Sequence, residues 1–314
     1  MLNDFLKNPF NENIIGDFDS HLFPSLKLNI SSLMILTETE TDEETKIKRA
    51  QLNETKVAQP AILLHSILNF YKFFNENTEK IQTNSLRIDS VFGPSLGEII
   101  ALVAAESIGL NEAGVLLYNR GKFMQESCPI GTGSMLNVIG DVTKSIEVFK
   151  KFKEEVNLKS KEKSLINISS INSKRLLVIS GKKDLVDSCS VFLKKNSIAT
   201  RKLPVSAAFH SALMNEGQEM FKKHLEEADY EFRIPRFKVL STIQPNDNQD
   251  TNKNVLIYCK RYGGIEFDKI VKKMLTDQFT HPVNLIECVK YNSSSDAVIY
   301  DMVKRKISYF EEYL

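Results

Sequence analysis

Gly93-Pro94-Ser95-Leu96-Gly97-Glu98 is a G-x-S-x-G block with a strand-like run before it, Arg87 to Phe92, and an Ala-rich helical pattern behind it, from Leu96 to about Ser107. In that strand, turn, helix setting the motif reads as a nucleophile elbow. Small residues on either side of the Ser let a strained turn pack closely, while the hydroxyl projects at a helix N-terminus. There the helix dipole and free backbone N–H groups, notably that of Leu96, can hold an oxyanion. The bland reading is a Gly-rich turn with an incidental Ser, and the agreement of context and spacing favours the elbow.

A Ser nucleophile needs a base, and five His are available: His21, His65, His210, His224 and His281. His65 falls in the middle of a core-like helix, His224 on a solvated Lys-Lys-His-Leu-Glu-Glu face, and His21 in an early loop without pattern. His210 follows Leu203-Pro204-Val205-Ser206-Ala207-Ala208-Phe209, a strand end passing into a loop, where a side chain can reach an elbow. His281, before Pro282, is the reserve. A third group stands out on the helix expected from about Asn111 to Ser127. Its apolar stripe runs through Ala113, Leu116, Leu117 and Met124, and at 100° per residue Arg120 falls inside it. An inward guanidinium is costly unless it meets an anion. Spacing leaves two partners equally open: a buried Asp or Glu of the chain, or a substrate carboxylate held in bidentate fashion.

The elements that must position these groups follow from periodicity. Pro60 reads as the first turn of a helix whose apolar stripe is Leu64, Ile67, Leu68, Tyr71 and Phe74. Thr37 to Lys48 is polar and acidic, a solvated loop or helix face. From Ser134 the order is strand (Met135 to Ile139), helix (Thr143 to Val156), two strands (Leu165 to Ile171, Leu176 to Ser180), helix (Asp184 to Lys195) and strand (Ile198 to Val205). This βαββαβ order is that of a ferredoxin-like module. Gln244 to Asn254 reads as an exposed loop.

The 314 residues suit one large or two ordinary domains. The longest apolar stretches, such as Ile99 to Ala105, are far short of the roughly 20 residues of a membrane helix, so no membrane partner is expected. Cys128, Cys189, Cys259 and Cys288 are far apart with no C-x-x-C pair, which suggests neither zinc knuckle nor disulfide framework. The net charge of +1 argues against bulk nucleic-acid affinity. Charge is nevertheless segregated: residues 141–204 hold 15 Lys/Arg against 7 Asp/Glu. That surface is either two solvated helices or a docking face for an acidic partner.

Together these blocks resemble the malonyl-CoA:acyl-carrier-protein transacylase family. Gln59 to Leu63 is similar to T-Q-P-A-L, Gly93 to Glu98 to G-H-S-L-G-E, and Asn119 to Gln125 to a block containing R-G-x-x-M-Q. Asn172-Ser173 with Val178 to Gly181 resembles N-S-P-G-Q-V-V-I-S-G, Val205 to Met214 resembles V-S-A-P-F-H-S-x-L-M, and Gln278 to Val283 resembles Q-L-T-S-P-V. The blocks keep the family order over roughly residues 52 to 290. The resemblance implies an α/β-hydrolase-like core with a parallel sheet (1–133 and 205–314) and an inserted ferredoxin-like subdomain (134–204). It implies Ser95 as nucleophile, His210 as base, Leu96 as oxyanion donor, Arg120 as clamp on the malonyl carboxylate, and Gln278 as the residue whose backbone carbonyl orients the His. Malonyl-CoA would be the substrate and an acidic acyl carrier protein the acceptor, docked near the basic subdomain. No metal or cofactor is implied, nor any nucleic acid, and a monomer is expected.

The departures from the family pattern set further expectations. The family's opening strand and F-P-G-Q-G block, with its oxyanion-donating Gln, has no counterpart at Met1-Leu2-Asn3-Asp4, so the elbow strand should have an unpaired position beside it. Pro94 replaces the His beside the nucleophile, Ser170 and Leu176 stand where Asn and Gln are usual, and Tyr291 to Asp296 replaces a G-P-G turn. This drift is similar to that of the fungal mitochondrial branch, which would place the chain in the mitochondrial matrix, with the cytoplasm as alternative; the first 25 residues, with three Asp and one Glu, are not expected to act as a targeting segment. Two rival functions use the same residues: a serine hydrolase or thioesterase, and a catalytically weakened carrier-protein-binding module.

Overall fold

The computed structural model describes residues 2–35, 37, 39–157, 165–205, 207–243, 257–258, 264–291, 299–301 and 306–308. Helices α1 (Pro9–Leu26), α2 (Ile30–Met34), α3 (Asp42–Leu52), α4 (Thr55–Glu76) and α5 (Thr78–Gln82) precede strand β1 (Ser90–Phe92). Then come α6 (Leu96–Ala104), α7 (Leu110–Ser127), β2 (Gly133–Ile139), α8 (Val142–Asn157), β3 (Ile166–Ser173), β4 (Leu176–Lys182), α9 (Lys183–Lys195) and β5 (Ala199–Lys202). A 3₁₀ turn at Ala212–Met214 leads into α10 (Asn215–Glu227), β6 (Lys238–Leu240) and β7 (Ile257–Tyr258). The chain continues through α11 (Gly264–Asp277), β8 (Val283–Asn284), α12 (Leu285–Tyr291), β9 (Ile299–Asp301) and β10 (Lys306–Ser308).

Local chemistry explains most of these boundaries. α3 starts at a capping box in which Thr41 and Glu44 satisfy each other's backbone donors, and it buries no residue, in keeping with a solvated helix face. α7 buries Ala113, Leu116, Leu117, Arg120 and Met124 on one side, the stripe expected from its spacing. The expected start of α4 needs correcting: the helix begins at Thr55, so Pro60 lies inside it and not in its first turn. The reason is tertiary. The extra turn is packed on α7, where a Cβ at Gly121 would meet Thr55 O at 2.5 Å, and Thr55 Oγ1 donates to Gln125 Oε1.

The sheets separate two regions of a mixed α/β fold. β1 pairs parallel with β6, and β7 lies antiparallel on the far side of β6. Among the described residues β6 is the one strand neighbour of β1. The second sheet runs β5-β2-β4-β3-β8. Its first four strands are antiparallel neighbours in the order a βαββαβ unit gives, while β8, from the last third of the chain, adds in parallel beside β3. Periodicity gave no sign of that added strand, which is only two residues long. One hydrophobic cluster is built by residues before β2 and after β5; the other, around Leu136, Phe149, Ile179, Val186 and Leu193, lies wholly between Leu136 and Ile198.

Residues 244–254 and 292–296, expected as a loop and a replaced turn, lie outside the described residues, as does Cys259. Cys128, Cys189 and Cys288 are buried, and none of them is in a disulfide. No helix among the described residues is long and apolar enough to cross a membrane.

Candidate active site

Ser95 sits between β1 and α6 with φ 55° and ψ −111°, a conformation rare for a residue with a side chain. Such a turn costs of order 1–3 kcal/mol and persists where its surroundings hold it. Here they do so by proximity: a Cβ on Gly93 would stand 2.9 Å from Gly97 Cα, so a glycine at 93 is required for the turn to close, and a Cβ on Gly97 would meet Pro94 Cδ at a tight 3.3 Å. Gly97 N donates to Pro94 O and Glu98 N to Ser95 O, which starts the helix directly under the Ser. Leu96 is the first residue of α6, so its N–H has no intrahelical acceptor and is available beside the hydroxyl.

His210 also has positive φ, 59°, and is buried. Its Nδ1 donates to Gln278 O at 2.5 Å, which leaves Nε2 as the basic nitrogen. Burial, assisted by the Arg120 charge and opposed by the Gln278 carbonyl, pushes its pKa down to about 4. The imidazole is therefore neutral at pH 7. Two residues of the inserted unit fix the loop that carries it: Asn167 Nδ2 donates to His210 O at 2.9 Å, and Ser180 Oγ to Phe209 O at 2.7 Å. The reserve candidate lies elsewhere in its contacts, since His281 Nδ1 is engaged with Asp277 O and Thr280 Oγ1.

Arg120 is 1% exposed, yet its hydrogen-bond partners are all neutral. Nη1 donates to Gln59 Oε1 at 2.7 Å; Nη2 donates to Ser95 Oγ at 2.8 Å and to Gln278 Oε1 at 3.2 Å. Nε is buried without an acceptor, and so is the Gln278 Nε2 donor. Among the described residues no carboxylate forms an ion pair with this guanidinium. Burial lowers its pKa to about 10, partly offset by the Glu98 charge, so it stays protonated at neutral pH. A buried, protonated cation with spare donors is a site prepared for an anion.

The structure thus brings Ser95, Arg120, His210 and Gln278 into one linked set, with Leu96 at its base. Gln278 serves it twice, through its backbone to His210 and its side chain to Arg120. Gln59, Glu98, Asn167 and Ser180 had no role assigned from sequence. Gln59 could have been found as a polar residue on the buried face of an apolar helix. Glu98 is a fully buried carboxylate that accepts from Ser241 Oγ and Thr242 N, tying α6 to the end of β6. Asn167 and Ser180 carry no sequence signal, because their contacts are to backbone 43 and 29 residues away.

A parallel strand pair feeding a strained Ser at a helix N-terminus, with a buried Arg bonded to its hydroxyl and a buried His joined to that Arg through Gln278, is an arrangement suited to serine-dependent acyl transfer on an α/β scaffold. Residues 3–262 match the acyl transferase domain, and the chain belongs to that family. It is 33% identical over 225 residues to the malonyl CoA-acyl carrier protein transacylase of Staphylococcus aureus (strain COL), a match covering 71% of this chain and 64% of that protein. With the Bacillus subtilis (strain 168) transacylase it shares 29% over 233 residues, 73% and 68% of the two chains. The chain thus spans just under two thirds of the length of the Staphylococcus relative. Among solved structures, a malonyl-transacylase in complex with a type II PKS acyl-carrier protein superposes with a TM-score of 0.69 at 25% identity, covering 93% of this chain and 80% of that one. The acyl carrier protein S-malonyltransferase of Vibrio cholerae has the same fold, with a TM-score of 0.67 at 24% identity over 93% and 80%.

Proposed function

We propose that this chain moves a malonyl group from malonyl-CoA to the thiol of an acyl carrier protein through a malonyl ester on Ser95, a step of fatty acid biosynthesis. The observation that carries the reading is Arg120, a buried guanidinium hydrogen-bonded to neutral groups and to the Ser95 hydroxyl itself. A malonyl thioester has its carboxylate one methylene from the carbonyl that Ser95 attacks, so the cation and the nucleophile are placed for the two ends of one small acyl group. A neutral acyl group gives that cation no counter-charge.

In the first half-reaction Ser95 Oγ bonds to the thioester carbon while His210 Nε2 takes the hydroxyl proton. The Leu96 N–H stabilises the oxyanion. Collapse breaks the carbon–sulfur bond, and His210 returns the proton to the leaving CoA sulfur. The second half-reaction runs the same steps in reverse with the carrier thiol as nucleophile. The substrate carboxylate assists His210 as well, because neutralising Arg120 weakens the charge that, after burial, depresses its pKa.

The acceptor is proposed to dock against the inserted unit, where Lys174, Arg175, Arg201 and Lys202 are exposed within the stretch carrying the basic excess. Opposite charge on a carrier protein would steer it there. Intact-mass analysis after incubation with malonyl-CoA tests the function. A stable malonyl adduct supports the transferase; rapid release of free malonate indicates a hydrolase; the absence of both indicates a binding module.

A further inference from the structure

Of the Arg120 nitrogens Nη2 is the one with two acceptors among the described residues, while Nε has none. A guanidinium grips a carboxylate through parallel pairs of N–H groups, either Nη1 with Nη2 or Nε with Nη2. Both grips use Nη2. Its two hydrogens are directed to Ser95 Oγ and Gln278 Oε1, so a bidentate carboxylate must displace one of them. A malonyl carboxylate lies one methylene from the carbon that Oγ attacks, and it therefore arrives on the Ser95 side. Gln278 is held in place by its own backbone bond to His210, and Nη1 is held by Gln59, which gives the guanidinium a fixed end about which to shift.

We propose that the hydrogen bond from Arg120 Nη2 to Ser95 Oγ is a latch on the nucleophile, released by an acyl group that brings its own carboxylate. This rests on the malonyl-transfer reading and deepens it. While the latch is closed, a cationic donor occupies one of the two lone pairs of Oγ and draws electron density from the oxygen, and the nearby charge opposes protonation of His210. When a carboxylate takes Nη2, the lone pair is freed and the base is strengthened in the same event. Arg120 then discriminates twice: it binds the malonyl group, and it keeps Ser95 sluggish toward thioesters that lack a carboxylate.

The latch is testable by supplying the carboxylate separately. The rate of Ser95 modification by two reagents whose transferred groups carry no charge, acetyl-CoA and phenylmethylsulfonyl fluoride, is followed by intact mass in sodium formate and in sodium chloride of equal ionic strength. Formate should accelerate both reactions saturably, by roughly tenfold, the scale of one charge-assisted hydrogen bond, and should shift the acid limb of the rate upward. In Arg120→Ala, basal sulfonylation should exceed that of the parent and formate should have no effect. Formate that leaves the parent rate unchanged, or slows it, overturns the proposal, and this arm needs no variant. An Arg120→Ala protein that melts like the parent but sulfonylates more slowly overturns it too. Because sulfonylation does not involve CoA, formate activation without a malonyl adduct would reject the function and keep the latch. An adduct without activation would do the reverse.

Discussion

The acyl-transfer site and the inserted ferredoxin-like unit are held together in opposite ways. The inserted unit buries an apolar cluster drawn from one continuous stretch, and its sheet and two helices follow each other in sequence order. The site buries Gln59, Arg120, His210 and Gln278, joined by hydrogen bonds whose partners stand 61, 68 and 158 residues apart, and beneath Ser95 it buries Glu98, which is bonded to Ser241 143 residues away. One region is stabilised by removing apolar area from water; the other spends stability on a strained turn, a buried cation and orphan donors. Chemistry should therefore be lost without the fold in the site, and fold without chemistry in the inserted unit.

The sharpest break of this contrast is Ser95→Ala. It removes one hydroxyl and should abolish the acyl adduct while leaving the melting temperature near that of the parent; turnover of malonyl-CoA at the parent rate would show that the elbow is not the reactive centre. Next in size is Arg120→Ala. At about 1.5–3 kcal/mol for each charge-assisted hydrogen bond, loss of a bidentate grip predicts a fall of about 10² to 10⁴ in malonyl transfer, with acetyl transfer held or improved. Equal loss for both acyl groups, measured as kcat/KM, would make Arg120 a purely structural residue.

In the inserted unit, Leu193→Ala should remove about 2–5 kcal/mol of stability, the cost of truncating a fully buried Leu. Below its melting temperature the acylation rate should stay close to that of the parent. Asn167→Ala joins the two regions, since Asn167 belongs to β3 but holds the His210 carbonyl. Chemical denaturation should show a loss of only about 1 kcal/mol, whereas kcat should fall with KM for malonyl-CoA little changed. A variant whose kcat is unaltered would make the strut irrelevant to catalysis.

The gentlest effect is that of pH. His210 has its folded pKa pushed below the usual 6.5, to about 4, so the unfolded chain binds more protons between those values. Its contribution to stability is present above pH 6.5 and is lost as pH falls toward 4. The acid limb of acylation should likewise lie well below 6.5, and His210→Gln should flatten the stability profile across that window.

The same contrast decides what could be read from the sequence. The inserted unit was legible because its strands and helices carry periods of two and 3.6 over runs that, apart from the four-residue β5, span seven to sixteen residues. The strained turn at Ser95 was legible because glycines flank it at fixed offsets, and the burial of Arg120 because it interrupts an apolar stripe. Where longer-range packing decides, the reading faltered: Pro60 lies inside its helix because α7 supports an extra turn, and β8 pairs with β3 through only two residues. The double service of Gln278 and the struts from Asn167 and Ser180 depend on contacts between distant segments, and no spacing within one segment encodes them.

The most direct test of the account is a chase of the isolated intermediate. Protein loaded with malonyl-CoA and freed of donor is mixed with holo-acyl carrier protein, and both masses are followed together. The account predicts that the malonyl group, mapped to Ser95, leaves the protein and appears on the carrier thiol in equal amount. A Ser95 adduct that persists in the presence of the carrier, or that ends as free malonate, would contradict it.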